Sequence, residues 1–310
     1  MSPCKFGVTI DAPLGPHAFT LARRAEEWGF DGLWARDHVS FTQSLPDPLT
    51  LLTGFAAVTS RVTIGTGIFL FPLRHPTLVA KMVATADYLS GGRFMFGIGV
   101  GGEFPQEWEG CGIPVKERGS RCNEGLEVVR RLWSEEHVAH RGTHFSFSDV
   151  NIDPKPARPG GPPILIGGRG EVAFRRAARY GNGWIPYLLD PPRLREGLAT
   201  IRRFAAEEGR GETPFFLSPL IYLRLDRDYE SALRWTANHL GARYNQPFEK
   251  PVRRYALLGT PAQVIEQIGP YLEAGVTHII FEPMTDPEGY GDLLQAIAGE
   301  VLPKARVMTA

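Results

Sequence analysis

Short apolar runs alternate along the chain with longer segments whose apolar residues recur every three or four positions. The first run, residues 5–10, is followed by Phe19, Ala22 and Ala25 at helical spacing, and then by Gly29, a residue type that commonly ends a helix. Strands that are separated by helical crossovers assemble into a parallel sheet. The pattern therefore predicts an α/β fold.

Seven further runs bring the predicted strands to eight. They lie at residues 32–35, 62–69, 94–98, 163–166, 183–187, 215–225 and 276–281. Helical patterns separate them, several opening at a proline, where a missing N–H does no harm. Eight strands and their helices form a (β/α)8 TIM barrel, and 310 residues suffice for one. We predict a single domain over residues 1–310, with a doubly wound open sheet as the alternative.

The gap between the fourth and fifth predicted strands is longer than one crossover needs. It contains a helical pattern at residues 118–133 and a segment rich in proline and glycine, residues 153–163, that is typical of a loop. Long excursions from a barrel commonly wall its active site. We therefore predict an insertion after strand 4, at roughly residues 104–162.

Charge and cysteine content narrow the class of protein. Lys plus Arg and Asp plus Glu both number 34, so no overall field favours nucleic acid or an anionic membrane. The three cysteines lack metal or redox spacing, and neither a secretory signal nor a membrane span is predicted. Without a GxSxG motif or a nucleophilic cysteine, covalent hydrolysis is disfavoured. These features predict a cytoplasmic protein that binds neither nucleic acid nor membrane.

Polar residues gather at the predicted carboxyl ends of the strands. In a parallel barrel, side chains from several strands meet solvent at that end. The set comprises Asp11, Asp37, His38, Thr66, Gly67, Gly101, Gly102, Glu103, Gly167, Gly168, Arg169, Gly170, Tyr187, Tyr222 and Glu282. We expect the active site there.

Two glycine motifs occur among these strand ends. Residues 167–170, Gly-Gly-Arg-Gly, precede a helical pattern, where unpaired backbone N–H groups and Arg169 would attract a phosphate. An ordinary βα turn is the alternative of equal weight. Residues 97–103 imitate a dinucleotide motif without its acidic ribose ligand, so we interpret them as close backbone approach to a flat ring.

Histidines are the candidates for proton transfer. His38, after the second strand, can donate a hydrogen bond or move a proton near neutral pH, with a structural role as the alternative. His75 precedes a helix and is expected to assist its entrance rather than catalysis. His137, His140 and His144 lie close together, but without cysteines or paired acids they are a weak metal signal, and we predict no metal site.

Several stretches together resemble the luciferase-like oxidoreductase superfamily over nearly the whole chain. The resemblance lies in residues 25–34 (AEEWGFDGLW) with Asp37-His38, 65–76 (GTGIFLFPLRHP) with Ala80-Lys81, 89–94 (LSGGRF), 97–103 (GIGVGGE), 117–121 (ERGSR) and 166–170 (IGGRG). Any one of them could arise by chance, but their common order could not.

The resemblance implies a barrel that holds FMN or the deazaflavin F420 with its ring at the strand ends. It places Gly167, Gly168, Arg169 and Gly170 around the phosphate and Asp37, Thr66, Gly67 and Gly101 among the residues that bind the cofactor. The Thr66-Gly67-Ile68 stretch resembles the place where deazaflavin members bend their backbone behind the ring. His38 would approach the reactive edge, and His38 and Glu103 would manage protons as the catalytic residues.

Residues 37–39 and 72–76 resemble the deazaflavin subfamily more closely, so F420 is favoured and FMN comes next. The reaction would be hydride transfer to, or monooxygenation of, a small organic substrate. The aromatic residues near the mouth favour a hydrophobic substrate, although packing of the insertion explains them equally well; they are Phe41, Phe69, Phe71, Phe104 and Trp108.

The resemblance also implies a homodimer and, for FMN chemistry, a separate reductase that supplies reduced cofactor. Two other functions stay open at this point. One is a non-catalytic flavin-binding protein of the same fold. The other is a lyase or aldolase that uses a buried lysine, for which Lys81 is the central candidate.

Overall fold

The computed structural model describes residues 3–11, 14–211 and 214–308. Within them the strands are β1 Lys5–Thr9, β2 Gly32–Ala35, β3 Thr63–Thr66, β4 Phe69–Leu70, β5 Phe94–Gly99, β6 Val138–Arg141, β7 Ser146–Val150, β8 Ile164–Gly167, β9 Gly183–Ile185, β10 Phe216–Leu217, β11 Leu220–Leu225, β12 Leu257–Gly259 and β13 His278–Pro283. The helices are α1 His17–Glu27, α2 Pro48–Val58, α3 Pro76–Leu89, α4 Pro105–Gly110, α5 Arg118–Ser134, α6 Glu171–Tyr180, α7 Pro191–Glu207, α8 Tyr229–Tyr244, α9 Glu249–Tyr255, α10 Pro261–Glu273, α11 Tyr290–Ala296 and α12 Leu302–Val307.

The parallel strands curl into a ring. Their hydrogen-bonded order is β10, β9, β8, β5, β3, β2, β1, β13, β11 and β12, with β4 beside β5. β3 and β4 occupy one position of the ring, and so do β10 and β11. The chain therefore visits eight positions in sequence order, with β12 as an additional short strand beside β11, and the predicted (β/α)8 class is confirmed.

The ring closes along a short seam beside β9. β10 pairs with β9, and beyond it an isolated parallel bridge joins Tyr187 to Leu220. The amides of Ser218 and Leu220 donate to the carbonyls of Trp184 and Pro186, each at 2.9 Å. The ladder at the seam is therefore interrupted between Leu217 and Leu220, whereas the ladders that β1 makes with its two neighbours are continuous.

Large side chains fill the interior of the barrel beneath its carboxyl end. This interior cluster consists of Trp34, Met95, Leu165, Ile185, Leu220 and Ile280. Glycines on neighbouring strands make room for the indole: a Cβ on Gly7 or Gly65 would lie 2.5 Å from Trp34. The described interior of the barrel is therefore a packed core, and the cavity lies at its mouth.

The segment between β5 and β8 contains α4, α5 and the antiparallel hairpin β6–β7. α5 confirms the predicted helix at 118–133 and serves as the crossover. The hairpin is not predicted, and it is held by Glu124 on α5, which accepts from the amides of Thr143, His144 and Phe145. An insertion bounded at roughly 104–162 stays a prediction.

Candidate active site

A cavity of about 970 Å³, its open mouth included, lies at the carboxyl ends of the strands. Part of its lining is glycine and aliphatic: Gly67, Ile68, Leu70, Gly99, Val100, Gly101, Gly167, Gly168, Ile185 and Leu220. The rest is polar or aromatic: Arg36, Asp37, His38, Glu103, Phe104, Tyr187, Tyr222, Tyr244 and Glu282. Most of the residues predicted from the strand ends therefore meet in one place.

The glycine part of the lining can accept a flat ring. The Gly67–Ile68 peptide bond is cis, at the stretch that the sequence resemblance indicates. Gly101 has φ +56°, and a Cβ there would lie 2.9 Å from Leu70. Because glycine has no side chain, the backbone itself forms the cavity wall at these positions.

The turn after β8 has the form of an anion site. Gly168, with φ +115°, has its carbonyl oxygen held by the indole N–H of Trp184 at 2.8 Å. α6 begins directly after Gly170, and as at any helix start the first N–H groups have no acceptor within the helix. Arg169 is exposed, with its guanidinium carbon 5.1 Å from the ring centroid of Tyr187. The residues present therefore fit a phosphate.

His38 is held in one orientation by a carboxylate. Its Nδ1 lies 3.2 Å from both carboxylate oxygens of Glu107, and its ring stacks on Phe41 with centroids 3.9 Å apart. Burial alone would raise the pKa of Glu107, but hydrogen bonds from His38 and from the Ser40 and Val39 amides lower it below its ordinary value. An ionised carboxylate only accepts, so Nδ1 carries the proton and Nε2 is left as the reactive nitrogen.

Two predicted cofactor residues have their polar atoms engaged within the protein. The Asp37 carboxylate is buried and accepts from the Leu70 amide at 2.8 Å and from two nitrogens of Arg74. Thr66 is fully buried, donates to the carbonyl of Gly97 at 2.6 Å and does not line the cavity. The structure therefore gives both side chains contacts that fix the strand ends.

A buried ionic network, Asp11, Arg36, Arg243 and Glu282, lies at the polar part of the cavity. Arg36 donates through Nε and Nη2 to the two oxygens of Asp11, at 2.8 and 2.9 Å. Arg36 and Arg243 both donate to Oε1 of Glu282, each at 2.5 Å. Although burial would raise the pKa of Asp11, the Arg36 charge lowers it. Two acids thus compensate two cations.

Three tyrosines complete the polar lining. The hydroxyls of Tyr222 and Tyr244 lie 3.4 Å apart. Burial raises the pKa of Tyr222 well above its ordinary value, and burial followed by the Glu103 charge raises that of Tyr187 to about 12. Both phenols therefore keep their protons at neutral pH and can donate hydrogen bonds.

Few of the predicted mouth aromatics reach the cavity. Phe69 and Phe71 are buried in the main core, and Trp108 is buried against Leu70. Phe104 lines the cavity, and Phe41 backs His38. The argument for a hydrophobic substrate therefore depends on fewer side chains than the sequence indicates.

The remaining histidines lie outside the cavity lining. His75 caps α3 by accepting from the Thr77 amide, as expected of a helix entrance. His137 pairs with exposed Asp149, while His140 and His144 lie on the hairpin. The described part of the chain contains no group of three His, Cys, Asp or Glu side chains that could hold a metal ion.

Glu103 and Lys81 complete the predicted candidates. Glu103 is exposed at the cavity lining. Lys81 donates to the carbonyl of Asp153, and no lysine is among the described residues of the lining. The aldolase hypothesis therefore has no nucleophile at this site.

Sequence reasoning missed Arg36, Glu107, Arg243 and Tyr244. Arg36 directly precedes Asp37 at a strand end, so the strand-end rule could have found it. Glu107 lies on the short helix α4, and Arg243 and Tyr244 end α8, where no local pattern indicates a site.

The sequence profile of the luciferase-like monooxygenases matches residues 7–278. The chain belongs to this family. The predicted resemblance is thereby confirmed, and the chain is an enzyme of the luciferase-like class. An F420-dependent glucose-6-phosphate dehydrogenase of Amycolatopsis mediterranei is 28% identical to it over 327 residues, with 93% of each chain covered.

Solved structures of luciferase-like proteins superpose on the whole barrel. Monooxygenase RslO1 from Streptomyces bottropensis is 27% identical, with a TM-score of 0.82 and with 96% of this chain and 99% of that chain covered. An F420-dependent secondary alcohol dehydrogenase, solved with an F420–acetone adduct, is 22% identical and has a TM-score of 0.85, over 98% and 99% of the chains. The latter likeness establishes the fold alone.

No helix in the described ranges is long and apolar enough to cross a bilayer.

Proposed function

We propose that this luciferase-like enzyme binds F420, with FMN as the second choice, and transfers hydride between the cofactor and a small organic substrate. The observation that carries the proposal is one cavity in which a glycine wall, an anion-binding turn and an oriented imidazole meet. The names of F420-dependent relatives support the choice of cofactor.

The cofactor would be held by backbone more than by side chains. Gly67 and Gly101 would contact the ring, and the turn from Gly167 to Gly170 would surround the phosphate, with Arg169 adding a charge-assisted hydrogen bond. Asp37 and Thr66 would act indirectly, by fixing the backbone on which the ring rests.

Bound deazaflavin supplies the hydride chemistry that no protein side chain offers. The protein would manage the accompanying proton. His38 takes or returns it at Nε2, because Glu107 holds Nδ1, and the carboxylate stabilises the imidazolium that forms. Glu103, at the exposed part of the lining, would exchange that proton with solvent.

Titration of the purified protein with oxidised F420 and with FMN, followed by absorbance and protein fluorescence, tests the cofactor. We expect saturable binding of F420 at micromolar concentration and weaker binding of FMN. If neither binds, the proposal is wrong.

Replacement of the imidazole tests the catalytic assignment. His38→Ala should reduce cofactor turnover by more than about tenfold while the fold and F420 affinity are retained, with a modest loss of thermal stability because buried Glu107 loses one partner. His17→Ala, at an exposed position of α1, is the matched control. Equal turnover in His38→Ala and wild type would remove His38 from the mechanism.

Monooxygenation with reduced FMN is the second candidate, because the structural likeness to RslO1 is accompanied by 27% identity. It would require a reductase partner, and oxygen consumption with reduced FMN tests it. The homodimer likewise stays a proposal drawn from the family resemblance, to be measured by sedimentation velocity. A non-catalytic flavin-binding role is not favoured, since the compared proteins are enzymes.

A further inference from the structure

The charges around the cavity are already balanced within the protein. Of the described residues that line it, Arg36 is the one permanent cation, and all three of its guanidinium nitrogens donate to Asp11 or Glu282. Arg243 reaches the same oxygen of Glu282. Since each carboxylate has a cation, the network presents no unpaired positive charge to a ligand.

The other charges at the lining do not favour an anion either. Asp37 is paired with Arg74, and Glu103 adds a negative charge at the exposed part. Arg169 lies on the turn that the proposed cofactor phosphate would occupy. A phosphorylated or carboxylated substrate would therefore find no unpaired cation among the described lining residues to replace its lost hydration, which is energetically costly.

The same wall offers neutral hydrogen-bond donors. Tyr222 and Tyr244 point their hydroxyls at one another, 3.4 Å apart, and Tyr222 faces the cavity from β11 beside Glu282, its partner in the sheet register. Phe104 packs near both the His38 acceptor and the tyrosine donors, with its ring centroid 5.3 Å from that of His38 and 6.5 Å from that of Tyr244. Polar atoms set in an aromatic wall suit a small uncharged molecule that carries one oxygen.

We propose that the substrate of this site is an uncharged alcohol or its carbonyl product, whose oxygen is held by His38 and the Tyr222–Tyr244 pair, and that phosphorylated sugars are excluded. This inference rests on the proposed function. In the oxidising direction the carbinol C–H bond breaks and its electron pair leaves as hydride to oxidised deazaflavin. The hydroxyl proton passes to Nε2 of His38, and a C=O double bond forms.

Two probes that share a cyclohexyl group and differ by an ionised phosphate test the proposal. Calorimetric titration of the protein with cyclohexanol and with cyclohexyl phosphate, with and without F420, measures the charge preference of the site. We expect cyclohexanol to bind at least about tenfold more tightly, since an uncompensated like charge is strongly disfavoured. If F420 fails to bind, the proposed function fails, whereas the ratio measured without F420 in the Arg169→Ala variant, which lacks the cation of the anion turn, still decides the charge preference.

Single substitutions test which side chains produce the preference for the alcohol over the phosphate ester. Tyr222→Phe and Tyr244→Phe should each weaken cyclohexanol binding about five- to tenfold, the loss expected for one hydrogen bond. Tyr88→Phe, 56% exposed on α3, is the control and should have no effect. Glu282→Gln should leave Arg36 and Arg243 partly uncompensated and improve cyclohexyl phosphate binding about tenfold.

Three outcomes would overturn the inference: phosphate ester binding as tight as that of the alcohol, no alcohol binding up to its solubility limit, or full alcohol affinity in both tyrosine variants. Should Glu282→Gln fail to fold, the wild-type ratio and the tyrosine variants still decide.

Discussion

Three glycine-to-alanine substitutions separate the effects of backbone strain and of contact at the anion turn. Gly168 has φ +115°, and its added Cβ would lie 2.7 Å from the Cβ of Ala173 on α6. Gly160 has φ +79° with no atom within 4 Å of its added Cβ. Gly170 has φ −122° and is equally open. Gly168→Ala thus combines backbone strain with a steric clash, Gly160→Ala introduces strain alone, and Gly170→Ala introduces neither.

The magnitudes follow from these geometries. A positive φ costs an alanine about 1–3 kcal/mol, and an overpacked contact costs about 1–3 kcal/mol more. Gly168→Ala should therefore lose roughly 3–4 kcal/mol of unfolding free energy, Gly160→Ala about half of that, and Gly170→Ala under about 0.5 kcal/mol. For a chain of 310 residues, about 1.5 °C is lost per kcal/mol, so the melting temperature of Gly168→Ala should fall by roughly 5 °C.

Scanning calorimetry and F420 titration measure the two consequences. Because Gly168→Ala displaces the turn from α6, we expect F420 affinity to fall more than about tenfold, while Gly160→Ala keeps wild-type affinity. If Gly168→Ala is no less stable than Gly160→Ala, the contact with Ala173 does not lower the free energy of unfolding. If it binds F420 normally, the phosphate lies elsewhere.

Three further predictions concern single side chains. Arg169→Ala should weaken F420 binding at least about tenfold at an unchanged melting temperature, as followed by fluorescence; equal affinity would contradict the phosphate contact. Because the folded pKa of Glu107 lies below the unfolded value of about 4.3, its stabilisation is present above that pH and is lost as the pH falls below it. The stability gap between wild type and Glu107→Gln, measured by urea unfolding with Glu109→Gln as control, should therefore narrow below about pH 4.3, and a constant gap would argue against it. Burial raises the pKa of Cys4 to about 12 and that of Cys122 to about 11, so a chromogenic disulfide reagent at pH 8 should label neither thiol before unfolding. The test uses the Cys111→Ser variant, since Cys111 is only half-buried, and rapid labelling of that folded variant would be the contrary result.

Much of the barrel was predictable because its information is local. Apolar runs mark the strands, and a proline opens α2, α3, α7 and α10. The breaks inside two strands were not predicted, since residues 62–69 and 215–225 read as continuous apolar runs. The hairpin β6–β7 was missed because it is largely polar and is held by Glu124 rather than by a buried face.

The site was predictable only where a strand end marks it. His38 was found in this way, but its partner Glu107 lies 69 residues further along the chain. Arg36 and Glu282 are separated by 246 residues, and their charge balance exists only after the ring has closed. A single sequence therefore locates the cavity but not its electrostatics.

The seam beside β9 places the candidate ligand site at the point where the ladder of the ring is interrupted. Ile185 and Tyr187 line the cavity on one side of the seam and Leu220 on the other, so a planar molecule resting there would bridge two strands whose pairing is not continuous. Ligand binding would then stabilise the closed barrel at this seam. Amide deuterium uptake at residues 183–187 and 216–220 should therefore slow on F420 addition more than uptake at β1. Slower uptake would mean that the seam opens less often in the ligand-bound barrel than in the empty one.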